Sequence, residues 1–157
     1  MAVEPPEVAN VVQREITIAA RPETVFEFFI DPEKMVQWKG RKADLDPRPG
    51  GRYRVEINEQ AIARGEYVEI DSPNRVVFTW GWEGQESGAH AVPPGTSRVE
   101  VDLIPDGDGT LVRLRHLDLP EAARPIHGQG WDLYLGRLAA AAEGREPGTD
   151  PGGPDNA

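Results

Sequence analysis

Two histidines are the side chains of this sequence best suited to chemistry. His116 is predicted to face inward from a strand, and His127 lies near the start of the last predicted helix. Because imidazole titrates near neutral pH, either ring could bind a polar group or transfer a proton as a general acid or base. The alternative for each is a structural histidine held by hydrogen bonds, and the sequence leaves both interpretations open.

Four aromatic side chains are candidates for the wall of an apolar pocket: Trp80, Trp82, Trp131 and Tyr134. Each combines a large apolar ring with a polar atom that can orient a ligand. Trp80 and Trp82 are two positions apart, so on a strand their side chains would point to the same face. This places Trp82 toward the mouth of such a pocket. Ordinary core packing is the alternative for Trp80 and Trp131. We therefore predict a ligand-binding site made of these four residues and the two histidines.

Other kinds of reactive site are not indicated by the sequence. A metal site needs three or four ligands, and the two histidines show no ligand spacing, even with Asp118 or Asp132. No Gly-x-Ser-x-Gly motif or phosphate loop occurs, and Gly128-Gln-Gly130 lacks the further glycine and the βαβ setting of a dinucleotide fingerprint. The sequence therefore predicts no metal and no cofactor.

Composition and charge exclude several classes of partner. The formal net charge is -10 and the pI about 4.8, whereas binding to nucleic acid or to an anionic membrane relies on Lys and Arg. The absence of cysteine excludes disulfides and thiolate chemistry. No apolar run approaches the roughly 18 residues that span a bilayer, and residues 1–7 show no signal peptide. We therefore expect a soluble, cytoplasmic protein without nucleic-acid or membrane partners.

The elements that must position these side chains begin with a strand and two short helices. Alternating apolar and polar residues predict the strand over residues 12–18. Pro22 is suited to the first turn of a helix. Asp31 and Pro32 end that helix and start the next one, with Asp31 as its cap. Trp38 is expected to anchor the second helix to the sheet.

A long β-patterned region follows, from about residue 42 to residue 117. A loop over residues 84–95 interrupts it, and His90 in that loop is expected to be solvated. Asp106-Gly-Asp-Gly109 forms the turn of the last hairpin, for which one register joins apolar residues on one face and opposite charges on the other. The inward pairs are Val99 with His116, Val101 with Leu114 and Leu103 with Val112, and the outward pairs are Glu100 with Arg115 and Asp102 with Arg113.

An amphipathic helix closes the predicted domain, beginning near His127 or only near Gly130. Its glycines are unfavourable in a helix and would let the sheet or a ligand approach its backbone. The apolar face of the helix is formed by Trp131, Leu135, Leu138 and Ala142.

Both ends of the chain hold too little apolar material to offset the entropy of ordering them. We therefore predict a flexible N-terminus over residues 1–9, one domain over residues 10–143, and a disordered tail over residues 144–157.

Taken together, these segments resemble the SRPBCC superfamily, and within it the branch named for the C-terminal domain of the activator of Hsp90 ATPase. The resemblance covers about residues 11–143. The segments that carry it are PETVFEFFIDPEKMVQW at residues 22–38, PGGRY at 49–53, GEYVEIDSPNRVVFTW at 65–80, and HGQGWDLYL at 127–135.

The resemblance implies an α+β helix-grip fold, also described as START-like or Bet v 1-like. In this fold a curved antiparallel sheet of about six or seven strands grips a long C-terminal helix, and two short helices after the first strand close one end. Members of the superfamily include lipid carriers, polyketide cyclases and hydroxylase subunits. The fold therefore constrains where a site lies and leaves its chemistry open.

Three functions follow as alternatives. The first is binding of a small hydrophobic molecule in a cavity between the sheet and the last helix. The second is an enzyme of the cyclase, dehydratase or hydrolase kind that uses a pocket histidine. The third is a chaperone-related protein-interaction module, whose outer sheet face would be acidic and suit a basic partner. Whether the protein is an enzyme stays open, and a homodimer is compatible with this kind of fold.

Overall fold

A seven-stranded antiparallel sheet forms the frame of the protein. The computed structural model describes residues 11–85, 88, 91–148 and 150–151. The order of strands in the sheet is β1-β7-β6-β5-β4-β3-β2, so the first and last strands of the chain are neighbours. The strands are β1 (Val11–Ile18), β2 (Lys42–Leu45), β3 (Arg52–Glu56), β4 (Ile62–Asp71), β5 (Arg75–Trp80), β6 (Ser97–Asp106) and β7 (Gly109–Leu117).

In the described part of the chain, three helices lie against this sheet: α1 (Pro22–Ile30), α2 (Pro32–Trp38) and α3 (Arg124–Ala142), the last preceded by a 3-10 turn at Glu121–Ala123. This arrangement confirms the predicted α+β helix-grip fold, with two short helices after the first strand and one long helix at the end. As predicted, Asp31 caps α2, since its carboxylate accepts a hydrogen bond of 2.9 Å from the backbone N–H of Glu33.

The starting point of α3 is earlier than either predicted position. The helix begins at Arg124 because Pro125 occupies its first turn, where a missing N–H needs no partner. Further along, the guanidinium of Arg14 on β1 lies against Gly128, where a Cβ atom would lie 2.6 Å from its Nη2. None of the helices in the described part of the chain is long and apolar enough to cross a membrane.

The predicted register of the last hairpin is confirmed at every pair, including Val99 opposite His116. This register turns His116 into the protein interior, where it is completely buried. Alternation along β6 and β7 therefore decides which face each of their side chains occupies.

On the outer face of the sheet, arginines and carboxylates alternate and bond to one another. Asp102 lies opposite Arg113 in register, but its carboxylate binds Arg75 of β5 at 2.9 Å, while Arg113 binds Glu15 of β1 at 2.6 Å. Glu100 lies within 4 Å of three guanidinium groups, those of Arg75, Arg98 and Arg115. The face is therefore a mixed network of charges and not the acidic surface expected for the protein-interaction alternative.

Part of the predicted tail lies on the domain. Arg137 of α3 donates hydrogen bonds to the carbonyl oxygens of Pro147 at 2.9 Å and Gly148 at 3.0 Å. The predictions for residues 1–9 and for His90 fall outside the described residues.

Candidate functional site

The six residues predicted to form the site come together between the sheet and α3. The ring centres of His116 and His127 lie 5.8 Å apart, and Trp80 lies 5.0 Å from the first and 5.3 Å from the second. Trp82 is 4.6 Å from Trp80, and Trp131 is 6.1 Å from His116. β5, β7, α3 and the segment just after β5, which carries Trp82, thus bring five buried rings into one cluster.

The hydrogen bonds of His116 determine which of its nitrogens carries the proton. Trp131 Nε1 lies 3.0 Å from His116 Nδ1, and an indole N–H can only donate, so Nδ1 is the acceptor. The proton is therefore on Nε2, which lies 2.8 Å from Ser97 Oγ, while that hydroxyl donates to the carbonyl oxygen of Trp80 at 2.7 Å. Both ring nitrogens of His116 and the Ser97 hydroxyl are therefore hydrogen-bonded.

His127 is held in the opposite tautomer by the same reasoning. Its Nδ1 lies 2.8 Å from the carbonyl oxygen of Ala123, which can only accept, so Nδ1 carries the proton. Trp82 Nε1 donates to its Nε2 at 3.0 Å. Trp82 is therefore a buried partner of His127, with 4% of its surface exposed, and does not lie open at a pocket mouth.

Both imidazoles are held neutral. Burial lowers the pKa of His116 well below its ordinary value of 6.5, and the charges of His127 and Lys39 act in the same direction. Burial also lowers the pKa of His127, although its hydrogen bond to Ala123 opposes the shift. Since each lone pair already accepts an indole N–H, neither ring is free to take a proton from a substrate in this arrangement.

Lys39, a residue that was not predicted, joins Tyr134 to the cluster. Its side chain is 1% exposed, and its ammonium nitrogen lies 3.8 Å from the ring centre of Tyr134, 5.0 Å from that of Trp131 and 6.0 Å from that of Trp80. A cation among aromatic faces is attracted by their electron-rich surfaces. Burial lowers the pKa of Lys39 to about 7, against the opposing effect of the Asp150 carboxylate.

A weak signal for the position of Lys39 is present in the sequence. Met35, Trp38 and Lys39 have the i, i+3, i+4 spacing of the buried face of a helix. Lysine is almost never fully buried unless it is paired. The residue type therefore predicts an exposed side chain, whereas the spacing predicts a buried one. Arg137, also missed, is buried on α3 and donates to the Trp38 carbonyl at 2.8 Å.

A carboxylate from the end of the described chain closes this region. Asp150 Oδ1 accepts a hydrogen bond from the Tyr134 hydroxyl at 2.7 Å, and Oδ2 accepts one from the backbone N–H of Gly40 at 2.5 Å. Gly40 has φ +84, and a Cβ atom there would lie 2.6 Å from Val55 Cγ1, so the turn that presents this N–H requires glycine.

One buried donor in the cluster has no acceptor. The indole Nε1–H of Trp80 is inaccessible and finds no hydrogen-bond partner among the described residues, although the ring is 1% exposed. An unsatisfied buried donor is uncommon in folded proteins and calls for an explanation, such as a bound group that supplies the acceptor.

An open cleft of about 650 Å³ lies elsewhere, between the β2–β3 turn and the β4 and β5 strands. Its lining includes Arg48, Arg52, Arg64 and Glu66, and none of the six predicted site residues. The unsatisfied Trp80 donor and the buried Lys39 cation belong to the buried cluster and not to this cleft. Within the described chain, no three His, Asp or Glu side chains gather closely enough to hold a metal ion.

Comparison with known proteins identifies a family. Residues 19–143 match the family described as Activator of Hsp90 ATPase homolog 1-like protein. An AHSA1-like protein of Rhizobium etli is 46% identical, with 90% of this chain and 86% of that one covered and a TM-score of 0.70. None of the curated proteins matches the chain.

More distant structures share the fold. CalU16 of Micromonospora echinospora is 25% identical, with 85% of this chain and 76% of that one covered and a TM-score of 0.67. An HSP90 activator from Plasmodium falciparum is 20% identical, with 82% and 93% covered and the same TM-score. At 20% identity, the similarity to the HSP90 activator concerns the fold alone.

Proposed function

The chain belongs to the family of Activator of Hsp90 ATPase homolog 1-like proteins, and we propose that it binds a small, largely apolar molecule between the sheet and α3. Its fold is consistent with a ligand-binding domain. In this proposal Trp80, Trp82 and Trp131 form the wall, and Tyr134, His116 and His127 contribute polar atoms around it.

The observation that carries the proposal is the unsatisfied N–H of Trp80. A buried donor left without a partner destabilises a protein by about 1–3 kcal/mol. A ligand with one hydrogen-bond acceptor would remove that penalty and bury its apolar part among the surrounding rings. Since side chains fill this region, binding requires one of its walls to move.

The enzyme alternative has less support. General acid–base catalysis by His116 or His127 needs a nitrogen within hydrogen-bond reach of the substrate. Both acceptor nitrogens already receive an indole N–H, from Trp131 and Trp82 respectively. A substrate would have to break one of these bonds before either ring could act.

The protein-interaction alternative rests on the fold it shares with the Plasmodium HSP90 activator. A basic partner would need an acidic surface. The outer face of the sheet is not uniformly acidic, because Glu100 and Asp102 are paired with arginines. The cytoplasmic location and the homodimer stay predictions.

Native mass spectrometry of the purified protein, with extraction of any molecule carried along, tests the proposal. We expect a defined apolar compound whose occupancy falls in the variant Trp80→Phe, which removes the N–H. Trp38→Phe is the matched control, because Trp38 is equally buried but its N–H already bonds to the Phe28 carbonyl at 2.9 Å. Equal occupancy in both variants, or no bound compound and no uptake of apolar probes, would contradict it.

A further inference from the structure

The Asp150 carboxylate occupies a site built by other parts of the fold. Its two oxygens accept hydrogen bonds from the Tyr134 hydroxyl and the Gly40 N–H, and its charge acts on the buried ammonium of Lys39. Two donors and one cation therefore act on this carboxylate. Such a set recognises an anion with two oxygens, as charge-assisted hydrogen bonds are the strong ones.

This site does not depend on Asp150 for its construction. Tyr134 is fully buried on α3, and Lys39 and Gly40 follow the end of α2. The backbone direction of the N–H follows from the positive φ of Gly40, and a Cβ atom there would collide with Val55. Without Asp150, the Lys39 charge would be left among aromatic rings, and burying an unpaired charge is costly.

The segment that brings Asp150 to the site is attached to α3 through hydrogen bonds from Arg137. We call its described residues, Pro147, Gly148, Asp150 and Pro151, the C-terminal strap. Arg137 binds the first two through their carbonyl oxygens, and all four residues are exposed or half-buried. A segment with little buried apolar surface belongs to the low-stability end of a fold and opens readily.

From these observations we infer that the ligand is an apolar carboxylic acid whose carboxylate replaces that of Asp150, with the C-terminal strap as the wall that moves. This inference rests on the proposed function and adds the chemical class of the ligand. The carboxylate would bind at Tyr134, Gly40 and Lys39, and the apolar part would extend toward Trp80 and Trp131, whose rings face the same ammonium. The strap is then a built-in competitor for the ligand.

Binding of two matched probes tests the inference. We would titrate the full chain with 2-naphthoate and with the neutral 2-naphthamide, following heat and tryptophan fluorescence. The variant Asp150→Ala should bind 2-naphthoate about tenfold more tightly than the wild type, with a much smaller gain for the amide. Glu146→Ala, which removes the same charge from an exposed neighbouring position, should change neither affinity. Adding Lys39→Met to Asp150→Ala should abolish the gain.

The possible failures are distinguishable. An equal gain for both probes in Asp150→Ala would overturn the carboxylate site and leave the apolar site of the proposed function standing. The inference would also be overturned if the affinity gain for 2-naphthoate persisted when Lys39→Met is added to Asp150→Ala. The same holds if Glu146→Ala alone produced that gain. No binding of either probe to any variant would overturn the inference and the proposed function together. In the wild type, 2-naphthoate but not the amide should shift the NMR signal of the Gly40 amide, which requires no variant to fold.

Discussion

The indole Nε1 of Trp131 lies 3.0 Å from Nδ1 of His116, and this contact sets the protonation state of a completely buried imidazole. Because the indole N–H can only donate, protonating Nδ1 would set two N–H groups against each other. The contact also joins β7 to α3. The neutrality of the ring and the packing of the helix on the sheet therefore depend on each other.

Replacing His116 should show how much this contact stabilises the folded protein. His116→Phe keeps a buried ring but leaves the Trp131 N–H without an acceptor, so the free energy of unfolding should fall by about 1–3 kcal/mol. Urea denaturation measures this. The double variant His116→Phe/Trp131→Phe removes the stranded donor as well, so the combined loss should be smaller than the sum of the two single losses. Strict additivity would mean that the bond contributes nothing specific.

The two histidines should make the protein sensitive to mild acid. Their folded pKa values lie below the unfolded value of about 6.5, so below that pH the unfolded chain binds protons that the folded one does not. The stabilising contribution of the two histidines is then full above about pH 6.5 and falls with decreasing pH, by up to about 1.4 kcal/mol per pH unit for each histidine. Urea midpoints between pH 5 and 7 would show it. His116→Phe should have a shallower slope, and an unchanged slope would count against this account.

Lys39 should produce a second dependence at alkaline pH. Its pKa is about 7 in the folded protein and about 10.4 in the unfolded chain. Between these values the unfolded chain binds the extra proton, so stability rises with pH from about 7 to about 10. The total rise is on the order of 5 kcal/mol. Lys39→Met should be more stable than the wild type at pH 7 and lose that advantage by pH 10.

Lys34→Met provides the control for this experiment. Lys34 lies on α2, which Lys39 directly follows. It also faces an aromatic ring, that of Phe28 at 5.3 Å, but its side chain is 35% exposed. The stability difference between this variant and the wild type should not change between pH 7 and 10. A difference for Lys39→Met that is equally constant would show that the Lys39 amine is not desolvated in the folded protein.

Two tryptophans of equal burial should respond differently to the same substitution. Trp80 and Trp38 are each 1% exposed, but the N–H of Trp80 has no acceptor among the described residues and that of Trp38 bonds to Phe28. Trp38→Phe should therefore destabilise the protein by about 1 kcal/mol more than Trp80→Phe, because only it breaks a hydrogen bond. Thermal and urea denaturation measure the difference, and a larger loss for Trp80→Phe would contradict it.

Local sequence patterns were sufficient to predict a helix cap and the register of the last two strands. The cap at Asp31 follows from residue types that neighbour one another along the chain, and the register of β6 with β7 follows from alternation on either side of a short turn. The positions of His116 and Trp80 on the inner face follow from that alternation. Such signals act over a few residues, so they can be read without knowing how distant segments meet.

The sequence by itself determined the fold, the inward face of the sheet and the six residues that gather beside α3. Only the tertiary structure decided what those residues do to one another: that His116 and His127 are neutral in opposite tautomers, that Lys39 is buried, and that Asp150 reaches it. The physical reason is that hydrogen-bond partners and desolvation come from segments far apart in the chain. Trp82 and His127 are 45 positions apart and Gly40 and Asp150 are 110 apart, and no periodicity encodes contacts over such separations.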